Sequence, residues 1–195
     1  MTATIDPHET PRTRAKALRR RALLDAAARL FAERGFDRVS IEDLGSAAGV
    51  SGPAVYRHFP GKQFVLAAVL IDVSQGLFDG GSQVIDAGVD AVGTLRALIT
   101  FHVAFALANA DVIRVQDRDL ESLASAEKHR VRALQRNYVE LWVGVLARLD
   151  PEADSSALRV KAHAAFGLIN STPHSGHSAA TGQILEEMAL AALTA

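Results

Sequence analysis

Apolar residues recur three and four positions apart through most of the chain, and strand-like alternation is nearly absent. The pattern predicts an all-α protein. A first helix is expected over residues 14–34, with Leu23, Ala27, Leu30 and Phe31 as its buried stripe and Gly35 as its stop. Phe36 and Val39 then lead into the core of a small three-helix head. A long helix is expected over residues 62–78, where Phe64, Val65, Ala68, Val69 and Val73 share a face. Gly80-Gly81 breaks that pattern, and residues 82–90 read as an irregular turn or short helix. Strong helical periodicity returns over residues 92–108 and again over 112–123, separated by a turn at Asn109-Ala110-Asp111. Residues 127–149 form the longest periodic segment, closed by Asp150-Pro151. Two further helices are expected, at 154–170 and 182–193, joined by a loop over 171–178.

The shortest elements carry the clearest local signals. Residues 40–62 read as two short helices joined by a glycine turn. Ser40 is placed to cap the first, with Glu42 and Asp43 in its first turn. Ile41, Leu44 and Ala48 form its inner face. Gly49 stands where the chain must reverse. Ser51 is placed to cap the second helix, and Pro53 falls in its first turn, where a missing N–H costs little. Val55 and Phe59 point back at the first helix, leaving Tyr56, Arg57 and His58 on the surface. This is the pattern of a helix-turn-helix, whose second helix can meet DNA. Arg57 and Lys62 supply charge for phosphates, and Tyr56 and His58 supply donors for phosphates or base edges. Gly52, Pro53 and Ala54 present almost no side chain, so the helix start can lie close to a groove. With Ser40 and Ser51 these are the candidate DNA-binding residues. A plain helical hairpin with a solvated polar face is the competing reading.

Composition narrows the function classes. The chain has 195 residues, no cysteine and a net charge of −1. Disulfides, thiolate metal sites and a cysteine nucleophile are therefore excluded. The longest uninterrupted apolar run, residues 64–71, is too short to cross a bilayer, and the first ten residues lack the apolar core of a signal peptide. A soluble cytoplasmic protein is expected. The charge is uneven: residues 1–62 hold 11 Lys/Arg against 7 Asp/Glu, and the rest hold 10 against 15. A basic head on an acidic body suits DNA binding at one end. Residues 1–12 read as a disordered arm. The basic cluster Arg12, Arg14, Lys16, Arg19, Arg20 and Arg21 follows, either as a solvated helix start or as an added phosphate contact.

Candidate chemistry in the body is sparse. No nucleophile–base pair, phosphate loop or metal spacing occurs, so no enzyme, metal or cofactor is expected. His174 and His177, with His163 nearby in sequence, lack an acidic or cysteine partner. His102 lies beside an apolar face, which suits either a hydrogen-bonded core histidine or a pocket. Tyr138 and Trp142, one turn apart, suit either core or a ligand wall. With Phe101, Phe105 and Phe166 they are the candidate walls of a cavity.

Ala47-Ala48-Gly49-Val50-Ser51, Tyr56-Arg57-His58-Phe59 and Lys62, preceded by Leu30-Phe31 and Gly35-Phe36, closely resemble the DNA-binding signature of the TetR family of bacterial transcriptional regulators. The resemblance covers about residues 19–66. Gly45 departs from the family's commoner Ala, which would loosen its helix by about 1 kcal/mol. Pro53 replaces a more usual small or polar residue. The resemblance implies a head over residues 13–62 and a ligand-binding and dimerisation body over 63–195. It implies a homodimer that binds a palindromic operator and is released by a small hydrophobic ligand. The helix after Lys62 would link head to body. Arg114 and Arg118, otherwise a solvated charged face, would border the ligand cavity. The last two helices would form the dimer interface, through Val160, Ala164, Gly167, Leu168, Ile184, Leu185 and Met188. Residues 118–146 are similar to those of members that respond to acyl-CoA thioesters and control lipid catabolism. A drug-like inducer of an efflux or modifying gene is the alternative.

Overall fold

Heptad-free helical periodicity and well-placed caps give the chain its architecture. The computed structural model describes residues 10–88, 90–174 and 180–195. Among these it contains nine α-helices, two single 3-10 turns and no strand. The helices are α1 (Pro11–Arg34), α2 (Ile41–Ala47), α3 (Gly52–Tyr56), α4 (Lys62–Ala87), α5 (Ala91–Ala108), α6 (Ala110–Asp119), α7 (Ser125–Leu149), α8 (Ser155–Ile169) and α9 (Thr181–Thr194). Helix α1 begins three residues before the sequence pattern suggested. The Thr10 hydroxyl caps it by accepting from the Thr13 N–H at 3.2 Å, and Pro11 takes the first position. Residues 11 and 12 thus belong to a helix capped by Thr10, and the rest of the expected arm, residues 1–9, lies outside the described residues. So does most of the loop holding His177.

Two hydrophobic cores divide the molecule, and the division does not fall at residue 62. The first joins α1, α2 and α3 to Val65, Leu66, Val69 and Leu70 of α4, and draws in Val112, Val115, Leu123 and Val131. The second is built around Leu98, Val103, Trp142, Leu146, Ala162 and Ile169, and takes in Leu77, Phe78, Val84 and Ile85 from the far half of α4. Helix α4 therefore runs through both. By length and composition α4 and α5 are apolar enough to cross a membrane. Their apolar residues instead supply the two cores.

Helix α4 continues straight through Gly80-Gly81, where the sequence pattern suggested a break. The glycines answer to packing. A Cβ at Gly80 would stand 2.3 Å from Phe101 Cζ, and one at Gly81 2.6 Å from Tyr138 Cε2. Rings from α5 and α7 fill the space that side chains would need. Gly81→Val is expected to lower stability by about 1–3 kcal/mol, because overpacking outweighs valine's small gain in helix propensity. Thermal unfolding followed by circular dichroism would show it, and an unchanged or raised Tm would refute the packing role.

Gly45 has a similar explanation. A Cβ there would lie 2.8 Å from the Val50 carbonyl oxygen and 3.1 Å from the Gly52 nitrogen. Close approach across the helix-turn-helix, rather than helix propensity, sets this residue. Gly49 adopts φ +69° and Gly35 φ +86°, the left-handed region that favours glycine at both reversals.

Candidate functional site

The head is held by local bonds and a small dry core. The Ser40 hydroxyl accepts from the Asp43 N–H at 3.0 Å, and Asp43 Oδ2 accepts from the Ser40 N–H at 2.9 Å. The Ser40 hydroxyl also donates to Asp43 Oδ2 at 2.6 Å, and that bond, with the one from the Ser40 N–H, holds the Asp43 carboxyl below the usual carboxylate range. The Val50 N–H donates to the Gly45 carbonyl at 2.8 Å, which fixes the turn between α2 and α3. Leu44, Val55 and Phe59 bury the inner faces of both helices.

That arrangement leaves Ser51, Pro53, Tyr56 and Arg57 exposed, with Gly52, Ala54 and His58 half-buried beside them. Tyr56 is 54% exposed, so its ring and hydroxyl are open to a partner. Ser51 occupies the N-cap position of α3, yet its hydroxyl makes no capping bond. Lys62 has an internal role that sequence did not reveal. Its ammonium donates to the carbonyls of Phe36 at 2.8 Å and Asp37 at 3.2 Å, and lies 4.4 Å from the Phe36 ring centroid. It closes the α1–α2 loop. In the basic cluster of α1, Arg20 pairs with Asp72 of α4 at 2.6 Å and Arg21 with Asp25 at 3.1 Å.

The body contains a cavity of about 330 Å³ among α4, α5, α6, α7 and α8. His102, Phe105, Tyr138 and Phe166 line it, as the sequence suggested. Tyr138 and Phe166 stack at 5.5 Å, and the His102 ring lies 4.8 Å from Phe166. Trp142 is fully buried behind this wall, edge-on to Phe166 at 5.0 Å. Its indole N–H is buried without a hydrogen-bond acceptor. Phe101 lies against Gly80, outside the cavity.

His102 joins three helices. Its Nε2–H donates to Asn170 Oδ1 and its Nδ1 accepts from the Tyr138 hydroxyl, each at 3.2 Å. Burial pushes its imidazole down to about 4, against the favourable bond to Asn170. It is neutral at physiological pH. Burial likewise pushes the Tyr138 phenol well up. Ser74, Gln116, Gln135 and Asn170 also line the cavity. Sequence reasoning passed over them because isolated polar residues on amphipathic helices read as solvent-facing.

The two arginines lie elsewhere. Arg114 donates to the Pro173 carbonyl at 2.7 Å and pairs with Asp111 at 3.4 Å. Arg118 donates to the carbonyls of Phe31 and Ala32 at the end of α1, and pairs with Asp119 at 2.9 Å. It ties α6 to the head. On α8 and α9, Val160, Ala164, Gly167, Ile184 and Met188 are exposed, with Val160 at 68%. Leu168 is half-buried, and Leu185 points into the protomer's own core.

Residues 23–69 match the model for bacterial regulatory proteins of the tetR family, and residues 88–174 match a tetracyclin repressor-like C-terminal domain. The HTH-type transcriptional repressor KstR2 of Rhodococcus jostii is 31% identical over 143 residues, 73% of this chain and 70% of that protein. The chain belongs to the TetR family. Its fold agrees with solved members: a TetR-family regulator from Bordetella parapertussis superposes with a TM-score of 0.81 at 22% identity, over 89% of this chain and 93% of that one. FadR from Bacillus subtilis, solved in complex with stearoyl-CoA, superposes with a TM-score of 0.70 at 15% identity, over 88% and 98%. This TetR-family member is thus a transcriptional regulator with an N-terminal helix-turn-helix.

Proposed function

We propose that this TetR-family protein is a ligand-responsive repressor that binds a palindromic operator as a homodimer. The observation that carries the proposal is the pairing of an exposed Tyr56-Arg57 surface at the end of α3 with an aromatic-lined cavity that α4 walls through Val73, Ser74 and Leu77. Each α3 would enter a major groove, and the dimer's two-fold axis would match that of the operator. The exposed face of α8 and α9 supports dimerisation through Val160, Ala164, Gly167, Ile184 and Met188, with Leu168 at its edge. Residues 13–62, extended by the first half of α4, act as the DNA-binding unit, and the remainder as the regulatory unit.

Ligand in the cavity would press on Tyr138, whose ring rests on Gly81 of α4. Helix α4 would shift and carry the head with it. A ligand acts only through its differential affinity for the two states, and a 100-fold loss of operator affinity requires about 2.7 kcal/mol. An acyl-CoA thioester is the ligand class we favour. The stearoyl-CoA complex of the FadR neighbour supports that choice.

The test selects duplexes from a random DNA pool with purified protein, with and without short- and long-chain acyl-CoA. A palindromic consensus lost on adding acyl-CoA is the expected result. A consensus indifferent to it would turn the search to drug-like inducers. Tyr56→Ala and Arg57→Ala are each expected to weaken binding to that consensus by about 1–3 kcal/mol. Lys62→Ala, which also unties the α1–α2 loop, should weaken it as well. Wild-type affinity in all three variants would overturn the DNA-binding surface.

A further inference from the structure

The cavity wall has an unusual charge inventory. Among the described residues that line it there is no lysine, arginine, aspartate or glutamate. Two histidines are present. His102 has both ring nitrogens engaged, by Tyr138 and Asn170, and His163 is solvent-exposed at the edge. Of the cations close to lining residues in sequence, Arg114 and Arg118 are bonded to carboxylates and backbone carbonyls, Arg132 pairs with Glu121, and Arg136, beside Gln135, is exposed to solvent and does not line the cavity. A carboxylate pushed into this wall would lose its water and find no cation in return.

The wall does offer hydrogen bonds. Ser74 is only 5% exposed, lines the cavity from α4, and its hydroxyl makes no hydrogen bond among the described residues. Gln116 on α6 and Gln135 on α7 line it too, and their amides make none. Gln116 and Gln135 are half-buried and Ser74 is buried, so a ligand filling the cavity would cut all three off from water and has to replace those hydrogen bonds. Three donors from three helices thus face one apolar space.

We propose that the cavity is specific for an apolar ligand whose buried end carries an uncharged hydrogen-bonding oxygen, bound by Ser74, Gln116 and Gln135, and that it rejects the corresponding carboxylate. Ester, thioester, ketone and hydroxyl oxygens meet this requirement. A coenzyme A thioester meets it with the acyl chain and carbonyl inside and the phosphates outside. The space of about 330 Å³, against about 30 Å³ for one water in the liquid, suits a medium-chain acyl group. The inference rests on the ligand-responsive reading above and adds the chemistry of the buried end.

Trp142 is the chain's single tryptophan and packs on the rings that line the cavity, so its emission reports occupancy. The full-length protein is titrated at pH 8 with methyl octanoate and, separately, with octanoate. The ester is expected to bind at least about thirty-fold more tightly. Gln116→Leu and Ser74→Ala, checked for folding by circular dichroism, should each weaken ester binding by about five- to ten-fold. Gln135→Leu should do the same. Octanoate binding as tightly as the ester overturns the inference and leaves the ligand-responsive reading standing. Unchanged ester affinity in all three variants overturns the assigned contacts. No emission change with either probe up to its solubility limit overturns both readings.

Discussion

Trp142→Ala is expected to destabilise the protein by about 3–5 kcal/mol, the range for deleting a large buried ring. Trp142 is fully buried and touches the rings of His102, Tyr138 and Phe166. Its removal opens space directly behind the cavity wall. One factor acts the other way: the indole N–H has no acceptor, so the alanine also relieves an unpaired donor. The companion Trp142→Phe separates the two. It keeps most of the ring and discards the N–H, so a loss under about 1.5 kcal/mol is expected. Urea unfolding followed by far-ultraviolet circular dichroism measures both. Equal losses in the two variants would show that the N–H, and not the packing, matters at this position.

Acid should unfold the protein earlier than its carboxylates alone would require. The His102 imidazole is neutral in both folded and unfolded chains above pH 6.5. Below that, the unfolded chain takes up a proton that the folded chain refuses until about pH 4. The unfolded state binds more protons in this window, so stability falls as pH drops from 6.5 to 4, by about 3 kcal/mol in all. Asp43, Glu140 and Asp154 are held low by hydrogen bonds to Ser40, Arg159 and Ser156 respectively, so they titrate below most of that window. His102→Gln keeps a donor for Asn170 and an acceptor for Tyr138 while removing the titration. Its stability should be nearly flat from pH 6.5 to 5, where the parent loses about 2 kcal/mol. An identical slope in the two proteins would assign the acid sensitivity elsewhere.

The parts of this molecule that sequence exposes are those whose causes are local. The Ser40 cap, the reversal at Gly49 and Pro53 in the first turn of α3 each act within a few residues, and the helix-turn-helix is legible from them. The run of α4 past Gly80-Gly81 is illegible for the opposite reason. Paired glycines ordinarily interrupt a helix, and the rings that justify them come from residues 101 and 138. The internal bonds of Lys62 and Arg118 were illegible too, because the backbone carbonyls they reach are brought near only by the tertiary fold. Aromatic residues marked the cavity in part: Phe105, Tyr138 and Phe166 line it, while Trp142 packs behind them and Phe101 lies outside. The amides opposite them carried no such mark, because Gln116 and Gln135 differ from solvated glutamines only in what stands across from them.

The tie between Arg118 and the end of α1 bears on how the head can move. A body hung from a single stem can swing in any direction and also spin. The head hangs from α4, but it is also pinned to α6 at the carbonyls of Phe31 and Ala32. Together with the core that α1 shares with α4 and α6, this second tie restricts both swing and spin of the head. In the proposed dimer, a small displacement at the cavity would then become one change in the separation of the recognition helices rather than a general loosening.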